Sequence, residues 1–168
     1  ILLVVPRVLE KVYNAASSKA GGGLKGRMFA WSAKQARSYS VAQQRTFGPS
    51  LTKKLRHGLA DALVLKKIRS VLGPNLRYIV SGGAPLATDL AQFYAGMGIT
   101  LIQGYGLSET TGPIAVQHLG ANPIGTVGLP LPGNFIKIAK DGEILVRGQA
   151  VMPGYYHLPE ETQAVMPD

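Results

Sequence analysis

Hydrophobic and polar positions alternate with three different rhythms along the chain. The apolar run Leu2 to Val5, stopped by Pro6, predicts a short strand, and the apolar spacing from Val8 to Ala16 predicts a helix. Gly21-Gly22-Gly23 breaks that helix. Residues 27–45 and 51–72 predict two more helices, separated by Gly48-Pro49 and closed by Gly73-Pro74. The rhythm then becomes strand (Arg77 to Val80), glycine turn (Ser81 to Pro85), helix (Leu86 to Gly96) and strand (Ile99 to Ile102). Such alternation predicts a parallel pair joined by a crossover helix, with ligands beyond the carboxyl ends of the strands. Farther on, Phe135 to Ala139 and Glu143 to Val146 flank Lys140-Asp141-Gly142, a hairpin signal. The expected fold class is α/β, a mixed and mostly parallel sheet with flanking helices and a basic helical insert over residues 15–72.

Composition narrows the chemistry. With 168 residues, 46% of them hydrophobic, the chain is expected to form one core or part of one. The absence of cysteine excludes disulfides, zinc ribbons and a thiol nucleophile. His57, His118 and His157 show no helical metal-ligand spacing and read as surface or loop residues. No run reaches the roughly 18 apolar residues that would span a bilayer, and Ile1 to Val5 is too short for a signal peptide. The expected location is cytoplasmic.

The net charge of +9 is lopsided, because residues 1–69 hold fourteen of the eighteen Lys and Arg residues but only two of the nine acids. Lys53-Lys54, Arg56, Lys66-Lys67 and Arg69 mark the stripe, with Phe29 and Trp31 inside the same region. Two readings stand: a solvated helical face, or a surface for an anionic membrane or an acidic ligand such as coenzyme A or an acyl carrier. Nucleic acid is not an expected partner, since aromatic stacking positions are sparse.

The stretch Gln103 to Gly112 carries the densest chemistry. It puts three glycines, a tyrosine, a serine and a glutamate directly after an apolar strand. A Gly-x-Ser-x-Gly elbow fails because Thr110 stands at its last position, and a Gly-x-Gly-x-x-Gly fingerprint fails because Glu109 would face a pyrophosphate. A hydroxyl and a carboxylate side by side, Ser108 and Glu109, suit magnesium shared with phosphate oxygens. Tyr105 between glycines offers a flat face to a purine. The alternative is a tight strand-to-helix turn with Ser108 as cap and Glu109 in the first turn.

Tyr105-Gly106-Leu107-Ser108-Glu109-Thr110 resembles the Tyr-Gly-x-Thr/Ser-Glu motif of the adenylate-forming (AMP-binding) synthetases, and Ser81 to Leu86 resembles their adenine-side loop. Gly142 to Gly148, followed by Met152 to Tyr156 and Pro159-Glu160, is similar to their next core motif. The flanks Val5 to Tyr13 and Val127 to Gly133 resemble the long-chain fatty-acyl-CoA ligase branch. The likeness covers essentially the whole chain and makes it a part of the large adenylation domain, over residues 1–168. The family's upstream Ser/Thr-Gly-rich phosphate loop, its Thr-Gly-Asp ribose anchor and its C-terminal lid with the catalytic lysine are expected outside these residues.

The resemblance implies roles. Gly82, Gly83, Ala84 and Pro85 would line the adenine and acyl side; Tyr105, with Gln103, Gly104 and Gly106, would meet the adenine; Ser108 would contact phosphate; and Glu109 would bind Mg2+. Ser108 and Glu109 are thus the implied catalytic residues. The implied activity is that of an ATP-dependent, AMP-forming acid-thiol ligase using ATP, fatty acid and coenzyme A. The residues 142–148 read as scaffold or as a ligand contact. An acyl carrier protein synthetase, an α/β hydrolase using Ser108 and a non-catalytic binding module stay as alternatives.

Overall fold

A computed structural model describes residues 1–120 and 122–166. Its first strand, β1 (Leu2–Val4), leads into helix α1 (Pro6–Ala20), with the proline at the first helical position where its missing N–H costs nothing. Helix α2 (Gly23–Gln43) and helix α3 (Leu51–Ala60) follow, and a π-helical turn, Asp61–Leu65, carries α3 into α4 (Lys66–Leu72). Strand β2 (Tyr78–Ser81), helix α5 (Thr88–Gly96) and strand β3 (Thr100–Leu107) form the predicted crossover unit. Then come β4 (Gly112–Val116), β5 (Leu129–Pro130), the hairpin β6 (Asn134–Ile138) and β7 (Ile144–Gly148), and helix α6 (Pro159–Val165).

The main sheet has the order β1-β2-β3-β4-β5. Its β1-β2 and β2-β3 pairings are parallel, with Leu2 opposite Ile79 and Tyr78 opposite Thr100, whereas β4 and β5 add antiparallel. The fold is mixed α/β, as the alternation predicts. Helices α1 to α4 lie in the connection from β1 to β2, and they share one core with α5 and the sheet. Leu9, Phe29, Ala33, Ala36, Leu65 and Ile68 are buried with Ile79, Phe93, Tyr94 and Leu101.

Small residues set the closest approach. A Cβ built at Gly96 in α5 would collide with the backbone of Ala36 in α2, so the two helices touch backbone to backbone there. The buried Tyr94 hydroxyl donates to the Leu9 carbonyl at 2.9 Å, which ties α5 to α1, and burial raises its pKa. Tyr13 packs edge-on against Phe93 with ring centroids 4.9 Å apart.

Part of the basic charge is structural. Arg37 donates to the Tyr13 hydroxyl and to the Asp89 carbonyl, both at 3.1 Å, with its guanidinium 5.4 Å from the Tyr13 ring centre. Arg69 pairs with Asp61 across the π-turn and donates to the Met97 carbonyl at 2.8 Å; the guanidinium holds the Asp61 carboxyl below the usual range. Lys53, Lys54, Arg56, Lys66 and Lys67 take no part in these contacts. His57, expected on the surface or in a loop, is a helical residue: its Nε2 lies 2.6 Å from the Gly96 carbonyl oxygen and therefore donates, and its ring stacks 4.0 Å from Tyr39.

Two further differences concern strand ends. The helix expected from Leu86 starts at Thr88, since Leu86 is used as a buried anchor ahead of it. The residues Gln103 to Gly106, expected beyond a strand ending at Ile102, are strand residues, because β4 supplies them with a pairing partner.

Gly96→Ala in the full-length protein is expected to lower stability by about 1–3 kcal/mol, the usual cost of overpacking a tight contact. Chemical denaturation checks this, and an unchanged midpoint would show that α2 and α5 separate without cost.

Candidate functional site

The polar stretch after Ile102 folds as a hairpin. β3 pairs antiparallel with β4, Tyr105 opposite Ala115 and Leu107 opposite Gly112, with a register shift between Tyr105 and Gly106. A Cβ at Gly106 would overlap the Gly112 backbone, so only glycine fits this crossing. The turn itself is a 3-10 segment, Ser108–Thr110, closed by Thr111 at φ 55° and Gly112 at φ 126°. A positive φ is costly for a β-branched residue. Thr111 is held there by its hydroxyl, which donates to the Ala150 carbonyl at 2.7 Å.

Thr110 fixes the turn. Its buried hydroxyl accepts from the Leu107 N–H at 2.8 Å and lies 3.0 and 2.9 Å from the carbonyls of Leu107 and Gly112. The strand-to-helix alternative is thereby corrected: Ser108 caps no helix, since the chain reverses into β4. The same geometry removes the hydrolase elbow, which requires a strand-to-helix turn and a small residue where Thr110 is buried.

The two glycine-rich stretches meet at the carboxyl ends of the parallel strands. A Cβ at Gly82 would stand 3.5 Å from the Gly104 carbonyl, and one at Gly83, where φ is 78°, would stand 3.8 Å from Val5, just past β1. Gly83 therefore needs its glycine for conformation, whereas Gly82 and Gly104 keep the surface low. Ala84 and Pro85 are exposed beside them, Gln103 and Tyr105 are half-buried, and Ser108 is exposed. The Gln103 N–H donates to Gln117 Oε1 at 2.9 Å. Buried Gln117, a residue the sequence did not single out, also donates to the Pro123 and Thr126 carbonyls at 2.8 and 2.9 Å, pinning the loop after β4.

Glu109 has the most defined environment. The Tyr155 hydroxyl donates to its Oε1 at 2.6 Å, and the Met152 N–H donates to its carbonyl at 2.8 Å. Tyr155 is fixed in turn, its N–H donating to the Thr162 hydroxyl of α6 at 2.9 Å. This hydrogen bond lowers the Glu109 pKa and raises that of Tyr155. The carboxylate is thus kept ionised and aimed. Within the Met152 to Tyr156 motif nothing local marks Tyr155, since 46 positions separate it from Glu109.

Among the described residues no three His, Cys, Asp or Glu side chains cluster as a metal cage. Glu109 with the neighbouring Ser108 hydroxyl offers hard oxygen donors of the kind that hold magnesium together with substrate phosphates rather than alone.

The family model described as AMP-binding enzyme matches residues 1–156. Long-chain-fatty-acid--CoA ligase FadD15 of Mycobacterium bovis is 47% identical over 100% of this chain, which covers 28% of that protein. Long chain acyl-CoA synthetase 8 of Arabidopsis thaliana is 34% identical over 98% of the chain and 25% of its own length. The solved O-succinylbenzoate coenzyme A synthetase of Bacillus subtilis, in complex with ATP and magnesium ion, is 23% identical with a TM-score of 0.49, covering 72% of this chain and 30% of that one. The chain therefore spans about a quarter of the length of the curated relatives it matches.

Because the folded-state pKa of Glu109 is depressed, its contact with Tyr155 stabilises the site above the ordinary carboxylate pKa and is lost as pH falls through the lowered value. Tyr155→Phe is expected to move the Glu109 titration midpoint upward toward the ordinary range. Carboxyl-labelled glutamate NMR, assigned with Glu109→Gln, reads this directly, and an unmoved midpoint would show that Tyr155 does not govern the carboxylate.

Proposed function

The chain belongs to the AMP-binding enzyme family, and from that premise we propose that it supplies the nucleotide and magnesium corner of a long-chain fatty acid-coenzyme A ligase. The observation that carries this reading is the Glu109 carboxylate, fixed by the Tyr155 hydroxyl at the turn of the hairpin whose first strand brings Gly104 against Gly82. Gly82 to Pro85 and Gln103 to Gly106 form the low backbone surface against which an adenine and an acyl carboxylate lie. Tyr105 presents its ring to the adenine. Ser108 donates its hydroxyl to phosphate, and Glu109 holds magnesium.

In the first half-reaction a fatty-acid carboxylate oxygen attacks the α-phosphorus of ATP, the bond to pyrophosphate breaks, and an acyl-adenylate forms. In the second the coenzyme A thiol attacks the acyl carbon, loses its proton, and AMP departs. Magnesium held by Glu109 together with the substrate phosphates would supply positive charge against the charge that builds on the phosphate oxygens. The fixed Glu109 keeps that charge partner in place without reorganisation, an advantage worth several kcal/mol in preorganised sites. The relatives' names support coenzyme A over an acyl carrier protein as acceptor.

A second reading concerns location. No helix among the described residues is long and apolar enough to cross a membrane. On α3, however, Leu51, Leu55 and Leu59 recur every fourth residue and are 73%, 68% and 55% exposed, with Lys54 and Arg56 between them. A basic helix with an exposed leucine ridge suits the surface of an anionic bilayer.

In the full-length protein, Glu109→Gln is expected to reduce fatty-acid-dependent ATP-pyrophosphate exchange about 100-fold or more, the cost of removing one placed electrostatic stabiliser. Exchange within a few-fold of wild type would remove Glu109 from the reaction. Reversing Lys53, Lys54 and Arg56 to Glu should weaken binding to anionic liposomes while turnover of a short soluble acid persists; undiminished binding would return this face to solvent.

A further inference from the structure

An apolar groove of about 750 Å³ opens between α1, α2 and the helix running through the π-turn into α4. Its floor and walls include Val12, Ala16, Met28, Phe29, Val64 and Ile68. Three cations, Lys19, Lys25 and Lys67, stand on its rim, and among the described residues no acid lines it. All three are exposed, so their aliphatic stems continue the apolar wall while the ammonium groups face water.

The groove is distinct from the nucleotide corner by its place in the fold. α1 starts directly after the carboxyl end of β1 and runs back along the sheet, so Val12 to Ala20 lie on the order of 9–21 Å along the helix from Pro6. Its other wall, Ile68 and Val71, precedes the loop that enters the amino end of β2. The corner occupies the carboxyl ends; the groove lies toward the amino ends. One acyl chain seated here cannot present its carboxyl carbon at Glu109.

Its chemistry selects one kind of occupant. The size falls within the roughly 300–1,000 Å³ of clefts that bury small ligands, and the lining is almost wholly apolar. A flexible alkyl chain suits an apolar lining drawn from three helices, and three ammonium groups on the rim suit an anionic head. We propose that this groove binds a long-chain fatty acid as a free carboxylate, a second acyl site separate from the reacting one. The carboxylate lies at the lysine rim and the alkyl chain between α1, α2 and α4, so the protein retains a fatty acid with no nucleotide present. The choice of a carboxylate head rests on the ligase reading; the existence of an anionic-amphiphile groove rests on the lining and rim alone.

The test uses the full-length protein without ATP and a palmitate analogue carrying a photoreactive diazirine at the chain end, followed by peptide mapping of the label. Label on α1, α2 or the 63–71 segment, competed by palmitate but not by hexadecanol or octanoate, is the expected result. Lys19→Glu/Lys25→Glu/Lys67→Glu should reduce this labelling at least tenfold, while the triple arginine variant keeps it. The charge-preserving arginine variant controls for folding, and both variants should keep pyrophosphate exchange at saturating palmitate. Labelling confined to the 82–109 corner, or labelling of the groove that survives charge reversal, overturns the proposal. So does equal competition by hexadecanol, which would make the groove a plain apolar surface. Groove labelling in a protein without exchange activity would defeat the ligase reading and leave the groove; exchange without groove labelling would do the reverse.

Discussion

The contact between Gly106 and Gly112 governs the candidate site. Any side chain at position 106 would occupy the space of the Gly112 backbone, so the absence of a Cβ is what lets β3 and β4 cross closely enough to close a three-residue turn. That closure buries Thr110, drives Thr111 into positive φ and leaves Ser108 and Glu109 at the turn of the antiparallel β3–β4 hairpin, beyond the parallel pairing that ends at Gln103. Thr111 and the Glu109 carbonyl then receive the 150–152 segment, which brings Tyr155 onto the Glu109 carboxylate. A steric constraint at one backbone crossing thus ends as an electrostatic property of one side chain.

Support for the strand ends comes from the other side of the sheet. β2 and β3 are parallel neighbours joined by α5, and α5 is held by α2 through the backbone contact at Gly96 and by α1 through the Tyr94 hydroxyl. Most of the stabilisation is apolar burial among Leu9, Phe29, Phe93 and Tyr94, at about 25 cal/mol for each Å² removed from water. The polar contacts decide geometry more than energy. Arg37 and Arg69 belong to that class, each bonded to a carbonyl on or just after α5.

The basic half of the chain consequently does two things at once. Its inward residues complete the core under the sheet, while Lys19, Lys25 and Lys67 border an apolar groove and Lys54 and Arg56 flank exposed leucines. Leu51, Leu55 and Leu59 are exposed beside these cations, which is the observation behind the proposed contact with an anionic surface. The candidate site at the β3–β4 turn, by contrast, carries an acid, Glu109.

The sequence by itself determined the elements whose signal is local: the helical spacing after Pro6, the strand-turn-helix-strand rhythm from Arg77 to Ile102, and the Asp-Gly hairpin at residues 140–142. It also marked Tyr105, Ser108 and Glu109 as candidates, because their types and order are unusual after a strand, and Gly82 and Gly83 through the likeness of their loop to the family's motif. Tertiary structure decided the rest. Whether Gln103 to Gly106 form a loop or a strand depends on β4 being alongside, since those residues have no periodicity and only a partner can satisfy their backbone groups. Gln117 and His57 read as ordinary polar residues until their partners, loop carbonyls in one case and the Gly96 carbonyl in the other, are placed beside them. Tyr155 lies 46 positions from Glu109. A hydrogen bond between residues so far apart in sequence leaves no local pattern, because it exists only after the turn at Thr110 and the segment before α6 have been brought together in space.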